Sequence, residues 1–153
     1  MKNKNYGFVR VAAVAPKLKV GEPDFNTKEI LRLLKDASKN SVSVVVFPEM
    51  SITGYTSADL FFQKLLLDRA LSALDMLKRA SKNLLPIFIV GLPIYIENRL
   101  YNMAAVIHAG KIYGLVPKTN IPNYREFYEQ RWFASSRDLR VKEIELLGQV
   151  VPV

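Results

Sequence analysis

Two charged residues in this sequence stand directly after an apolar run that ends in proline. Glu49 closes the run VVVFPE, which begins at Val44, and Lys118 closes GLVPK, which begins at Gly114. A carboxylate at the end of a buried strand lies where the loops of an α/β sheet form a ligand crevice. Its apolar neighbours would strip part of its hydration and make it a better proton acceptor, as a general base needs. A lone ammonium group in a matching position can stabilise a developing oxyanion, provided that fixed neighbours orient it. Tyr124, Glu126, Tyr128, Glu129 and Arg131 crowd the segment after Lys118 and could do so. Residue types alone leave both segments open. Glu49 could be an ordinary loop glutamate at a helix start, and the Lys118 segment a polar surface loop with aromatic packing.

Other chemistries have little material. The 153 residues include no cysteine, which excludes disulfides, thiolate metal sites and a cysteine nucleophile within them. A single histidine leaves almost nothing for a zinc site or a Ser-His-Asp triad. That residue, His108, stands in AAVIHAGKIYG and reads as a strand-end residue beside a turn. No glycine-rich phosphate loop occurs. The net charge of +8 raises nucleic acid or an anionic membrane as partners. The basic residues are spread along the chain and interleaved with Asp and Glu, however, so a solvated surface accounts for them. The longest uncharged apolar run, Leu84 to Ile96, contains two prolines and falls short of the ~20 residues that span a bilayer. Lys2 and Lys4 precede a stretch that resembles a secretion signal, but Arg10 splits it. Only Val11 to Ala15 remain uninterrupted, against the ~7–15 residues required, so a cytoplasmic location is expected.

The elements that must position Glu49 and Lys118 follow from periodicity. Half the residues are hydrophobic (50%) and 24% are charged, a globular balance in a chain long enough to bury a core. Phe8 to Ala15 reads as a first strand. Asn26 and Glu29 form a capping box ahead of a helix whose buried face carries Ile30, Leu31, Leu34 and Ala37. Val42 to Phe47 is a β-branched run stopped by Pro48, as in a strand buried on both faces. One long helix is expected from about Ser57 to Lys82, with Leu60, Leu67, Ala70, Leu71, Leu74 and Leu77 as its apolar stripe. Ile87 to Leu92 is the next buried strand. Leu100 to His108 and Lys111 to Val116 flank Ala109-Gly110 as a hairpin, and an irregular polar segment follows. The whole reads as one α/β unit.

Longer stretches around the two charged residues carry a family resemblance. FPEMSITGY, with Glu49, resembles the glutamate motif of the nitrilase superfamily of carbon–nitrogen hydrolases, and PKTNIPNYREFYEQRWF, with Lys118, resembles its lysine motif. The longer form PNYREFYEQRWF is similar in particular to the glutaminase domain of glutamine-dependent NAD synthetases. GFVRVAAVAP, YTSADLFFQ and the closing IELLGQVVPV fit the same subfamily. The resemblance implies an α/β fold that is part of a four-layer α-β-β-α sandwich. Residues 1–153 would form the N-terminal portion of one such domain, without the synthetase domain.

The roles that the resemblance implies are specific. Glu49 would be the general base that activates the nucleophile, and Lys118 would steady the tetrahedral oxyanion. Glu129 would hold the lysine and the substrate, while Tyr55 and Tyr124 would line a glutamine pocket. In the implied reaction a cysteine attacks the side-chain amide of glutamine, ammonia leaves, and water hydrolyses the thioester. The ammonia would serve a synthetase domain that amidates deamido-NAD. The sequence departs from the pattern at the cysteine, which has no counterpart among these residues, so the chain alone is expected to be inactive. No cofactor is expected in this portion, ATP and magnesium belonging to the synthetase domain. Half a sandwich would leave apolar sheet uncovered, so self-association or pairing with a piece carrying the rest is expected. Two other functions remain open: a nitrilase-type amidase or carbamoylase acting on another amide, and a non-catalytic interaction module.

Overall fold

The computed structural model describes residues 7–153. Its framework is a five-stranded sheet in the order β1-β2-β3-β4-β5, with two helices packed on one face. β1 (Val11–Ala13), β2 (Val44–Val46) and β3 (Ile87–Ile96) run parallel. β4 (Arg99–His108) and β5 (Lys111–Pro117) continue the sheet as antiparallel strands. The crossovers between parallel strands are α1 (Pro23–Lys39) and α2 (Lys64–Ala80).

Alternation divides the sheet into unlike faces, since successive strand residues point to opposite sides. Val45, Phe88, Val90, Leu92, Ala105 and Ile107 face the helices and are buried. They pack with Ile30, Leu34 and Ala37 of α1 and with Ala70, Leu74 and Leu77 of α2. Val11, Val46, Ile87 and Val116 are large apolar residues left exposed. The expectation that β2 is buried on both faces is therefore corrected: Val45 is fully buried, but Val46 is 44% exposed. β2 is central in hydrogen bonding yet covered on one side only.

The helices also differ from expectation in their ends. α1 begins at Pro23 rather than after Asn26, because a proline at the first helical position gives up an N–H that would lack a partner anyway. Asn26 is not a cap but a buried tie. Its side chain accepts from Lys19 N at 2.8 Å and donates to Lys19 O at 2.8 Å and Ile52 O at 2.9 Å. Glu29 pairs with Arg32 instead of closing a capping box. The single long helix expected over Ser57–Lys82 is three pieces, 3-10 turns at Ala58–Phe62 and Ser81–Asn83 on either side of α2. Gln63 is extended between the first two, which leaves Leu60 exposed and puts Leu66 inside.

Turn chemistry accounts for the remaining differences. β3 runs on to Ile96 and reverses into β4 through Glu97 and Asn98, both at positive φ, as a two-residue hairpin requires. The expected Ala109-Gly110 hairpin is present. The first strand shrinks to Val11–Ala13, although Val14 N still donates to Val46 O at 2.9 Å. The segment read as irregular ends in a third hairpin, β6 (Glu143–Leu146) and β7 (Gln149–Pro152). That hairpin is fastened to the β5 edge by the Gln149 amide, which donates to Ile112 O at 2.8 Å.

Candidate active site

Glu49 sits in the tight turn that leaves β2, a turn built onto β3. Phe47 N donates to Ile89 O at 2.9 Å, and Ile52 N donates to Gly91 O at 3.2 Å. Ser51 Oγ accepts from Gly91 N at 3.2 Å. The turn lies so close to β3 that a side-chain carbon at residue 91 would stand 2.4 Å from Met50 N. Gly91 is the residue that admits this approach. Met50, at φ 53°, turns its side chain into a small buried cluster with Phe61, Leu66, Leu100 and Phe133. This cluster joins the Glu49 turn to the segment that follows Lys118.

Lys118 comes directly after β5, and its backbone N–H prolongs the pairing by donating to Asn102 O at 2.9 Å. Its side chain returns to the Glu49 turn. Nζ donates to Glu49 Oε2 at 2.8 Å and to Glu129 Oε1 at 2.9 Å. Glu129 begins a short 3-10 turn, Glu129–Arg131, and its side chain is only 3% exposed. Tyr55 OH donates to Glu129 Oε1 at 2.5 Å. Asn102 Nδ2 donates to Glu49 Oε2 at 3.0 Å. One ammonium thus lies between two carboxylates, and each carboxylate has a further donor on the oxygen that the lysine uses.

The electrostatics follow from that geometry. Burial acts to lower the Lys118 pKa, but hydrogen bonds to Glu49 and Glu129 and the charges of both outweigh it. The ammonium is held above its usual range and stays charged. Burial, then the hydrogen bond to Glu129, raises the Tyr55 phenol well above its ordinary value, so it remains a donor. The Glu49 side chain is 48% exposed, so the desolvation expected from its apolar strand is partial. Glu129 Oε2 is buried and has no hydrogen-bond partner among the described residues.

Of the five residues singled out from sequence, four meet in this cluster: Glu49, Lys118, Glu129 and Tyr55. Tyr124 does not touch it. Its ring is exposed, packs edge-on against Phe127 and borders the open cavity of about 930 Å³ that adjoins Lys118. Two residues were missed. Asn102 betrays itself only as a polar residue inside the apolar strand LYNMAAV, opposite Pro93 of β3. Asp59 accepts from Arg131 Nε at 2.7 Å, Arg131 Nη2 at 2.9 Å and Trp132 Nε1 at 2.9 Å, and so fastens the Ala58–Phe62 turn to the Glu129 turn. His108 lies at the far end of β4, with Nδ1 3.4 Å from Pro86 O. Among the described residues no group of His, Asp and Glu is arranged to hold a metal ion. No helix there is long and apolar enough to cross a membrane.

The chain is 40% identical over 132 residues to a glutamine-dependent NAD(+) synthetase from Mycobacterium leprae, covering 86% of this chain and 19% of that protein. It spans about a fifth of the length of that curated relative. The crystal structure of a glutamine-dependent NAD(+) synthetase from Cytophaga hutchinsonii superposes with a TM-score of 0.86 at 24% identity, over 94% of this chain and 24% of that one. An amidase from Nesterenkonia sp. shares the fold, with a TM-score of 0.70 at 17% identity over 93% of this chain and 53% of its own. Residues 10–149 match the carbon–nitrogen hydrolase family, and the chain belongs to it.

Proposed function

We propose that this chain is part of the glutamine-hydrolysing site of an NAD synthetase, supplying ammonia for the amidation of deamido-NAD. The observation that carries the reading is the Lys118 ammonium between Glu49 and Glu129, at 2.8 and 2.9 Å. Relatives named as glutamine-dependent NAD(+) synthetases support glutamine as the amide. Glu49, the more exposed carboxylate, accepts the proton of an attacking thiol. The thiolate adds to the glutamine carboxamide, and Lys118 stabilises the oxyanion that forms. The C–N bond then breaks as Glu49 returns its proton to the departing ammonia. Water, deprotonated by Glu49, cleaves the thioester to glutamate and restores the thiol. Glu129 and Tyr55 keep the lysine aimed throughout, and Tyr124 on the cavity rim contacts the substrate.

The thiol has to come from residues outside these 153, none of which is cysteine. Alone, the chain is inactive in this reading, needs no cofactor of its own, and uses its uncovered sheet face to pair with the remainder of the domain or with itself. The test is complementation. Mixing this chain with a folded, cysteine-bearing remainder of such a domain should release ammonia from glutamine. Glu49→Gln or Lys118→Ala in this chain should lower the rate by about two orders of magnitude or more. Association of the two pieces without glutamine hydrolysis would overturn the assignment. Hydrolysis of other amides in preference to glutamine would overturn the substrate.

A further inference from the structure

At the hairpin end of β4, on the face opposite Asn102, a polar cavity of about 400 Å³ is lined by Glu97, Arg99, Tyr101, Arg137, Asp138 and Arg140. Three guanidinium groups therefore face two carboxylates across it. Arg99 is paired with Asp138 at 3.1 Å. Arg137 and Arg140 have no carboxylate within ion-pair distance among the described residues. Both are exposed at the mouth, while Tyr101 is fully buried below them. The Tyr101 hydroxyl has no hydrogen-bond partner among the described residues. A phenol sealed in without a partner forfeits the hydrogen bond it would make to water, so native proteins rarely leave one unused.

We propose that this cavity binds a small oxyanion, a phosphate or carboxylate group, held by Arg137 and Arg140 and reached from below by the Tyr101 hydroxyl. The chemistry matches: guanidinium forks bind such groups through paired N–H donors, and a phenol adds an O–H donor to the same oxygens. Arg99 stays engaged with Asp138 and keeps that carboxylate from occupying the two free guanidiniums. Glu97, on the positive-φ hairpin turn, is the one wall residue that opposes an anion without a cationic partner of its own among the described residues. The site borders the candidate active site without being part of it. Arg137 and Asp138 also line the cavity beside Lys118, and Ser136 N, next to Arg137, donates to Lys118 O at 3.0 Å.

Calorimetric titration of the purified chain with inorganic phosphate and with acetate, at low ionic strength, tests the proposal. Saturable one-site binding of either is expected, and the better binder identifies the oxyanion class. Arg137→Ala combined with Arg140→Ala should weaken binding about tenfold or more, since each loses a charge-assisted hydrogen bond. Both side chains are exposed, so the double variant should keep the parent circular dichroism spectrum. Tyr101→Phe should weaken binding several-fold without lowering the thermal midpoint of the ligand-free chain, which separates a ligand-binding hydroxyl from a structural one. Glu97→Gln should tighten binding. Absence of saturable binding by both anions, or unchanged affinity in the double arginine variant and in Tyr101→Phe, would overturn it.

Discussion

Among the described residues Lys118 is the only cation paired with Glu129, and Glu129 is nearly sealed from water. Removing one partner of such a pair leaves the other charge without compensation, a penalty of about 3–5 kcal/mol in buried cases. Lys118→Met should therefore destabilise the chain by roughly 3 kcal/mol in urea unfolding. Adding Glu129→Gln should recover part of that loss, because the orphaned charge goes with it. A Lys118→Met chain as stable as the parent would mean that the pair contributes nothing to the fold. The pH dependence has a definite sign. Lys118 has a folded pKa raised above 10.5, so its contribution is complete below pH 10.5 and is lost as pH climbs through the folded value. Tyr55 is raised from 10.0, and its un-ionised form is likewise favoured by folding. Stability should fall with rising pH above about 10, less steeply in Tyr55→Phe. At this scale the placement of Glu49 and Lys118 was legible because each follows an apolar run and a proline, whereas the chemistry proposed for them rests on the resemblance of FPEMSITGY and PKTNIPNYREFYEQRWF to family motifs. Asn102 was not legible, since its partner is 53 residues away and only the sheet register brings it to Glu49.

Between single residues and the fold lie the fastenings that hold one segment against another. Asp59 joins the Ala58–Phe62 turn to the turn that carries Glu129, through Arg131 and Trp132. Those hydrogen bonds, Arg131 first and then Trp132, lower the Asp59 carboxyl from 3.8 to about 2. A depressed carboxylate contributes above its unfolded pKa and loses that contribution as pH falls through the folded one. The chain has a single tryptophan, so its fluorescence reports this contact directly. An emission change centred near pH 2 is expected, and Asp59→Asn should abolish it. A transition near 3.8 in the parent would show the clamp to be absent in solution. Gly91 is a fastening of another kind. Gly91→Ala would drive a carbon to 2.4 Å from Met50 N, against backbone that cannot step aside. Overpacking of that sort costs about 1–3 kcal/mol and would shift the turn bearing Glu49. Helical period identified the buried faces of α1 and α2 correctly from Ile30, Leu34, Leu74 and Leu77. It could not place their ends, because Pro23 and Gln63 act through backbone geometry and Asn26 through distant carbonyls.

For the molecule as a whole, the order of strands and helices was legible because β1 and β2 are each an apolar run followed by a helical period, while β3 to β5 are apolar runs separated by short turns. The closing hairpin was not, since Glu143 to Leu146 alternates over only four residues, and the hairpin is held through β7, whose Gln149 amide donates to Ile112 O of β5. The covering of the sheet is a property of neither sequence nor single elements. One face is filled by α1 and α2, while Val11, Val46, Ile87 and Val116 on the other remain exposed as large apolar side chains spread over four strands. Scattered apolar residues are normal on a surface, but a continuous sheet face of this kind marks an interface or an aggregation hazard. The proposed pairing with the remainder of the domain gives that face its occupant, and the chain by itself should behave accordingly. Light scattering should detect association that grows with concentration, and an apolar dye should bind with enhanced emission. Val46→Lys with Val116→Lys places two charges in the middle and at the edge of that face, away from the helix-facing core. Such a variant should keep the parent secondary structure, bind several-fold less dye and scatter as a smaller particle, because burying each lysine would require desolvating its ammonium. Complementation by a cysteine-bearing remainder should fail in the same variant even though Glu49, Lys118 and Glu129 are untouched. A monomeric, dye-free parent chain, or full complementation by the lysine variant, would show that this face is not where the rest of the domain docks.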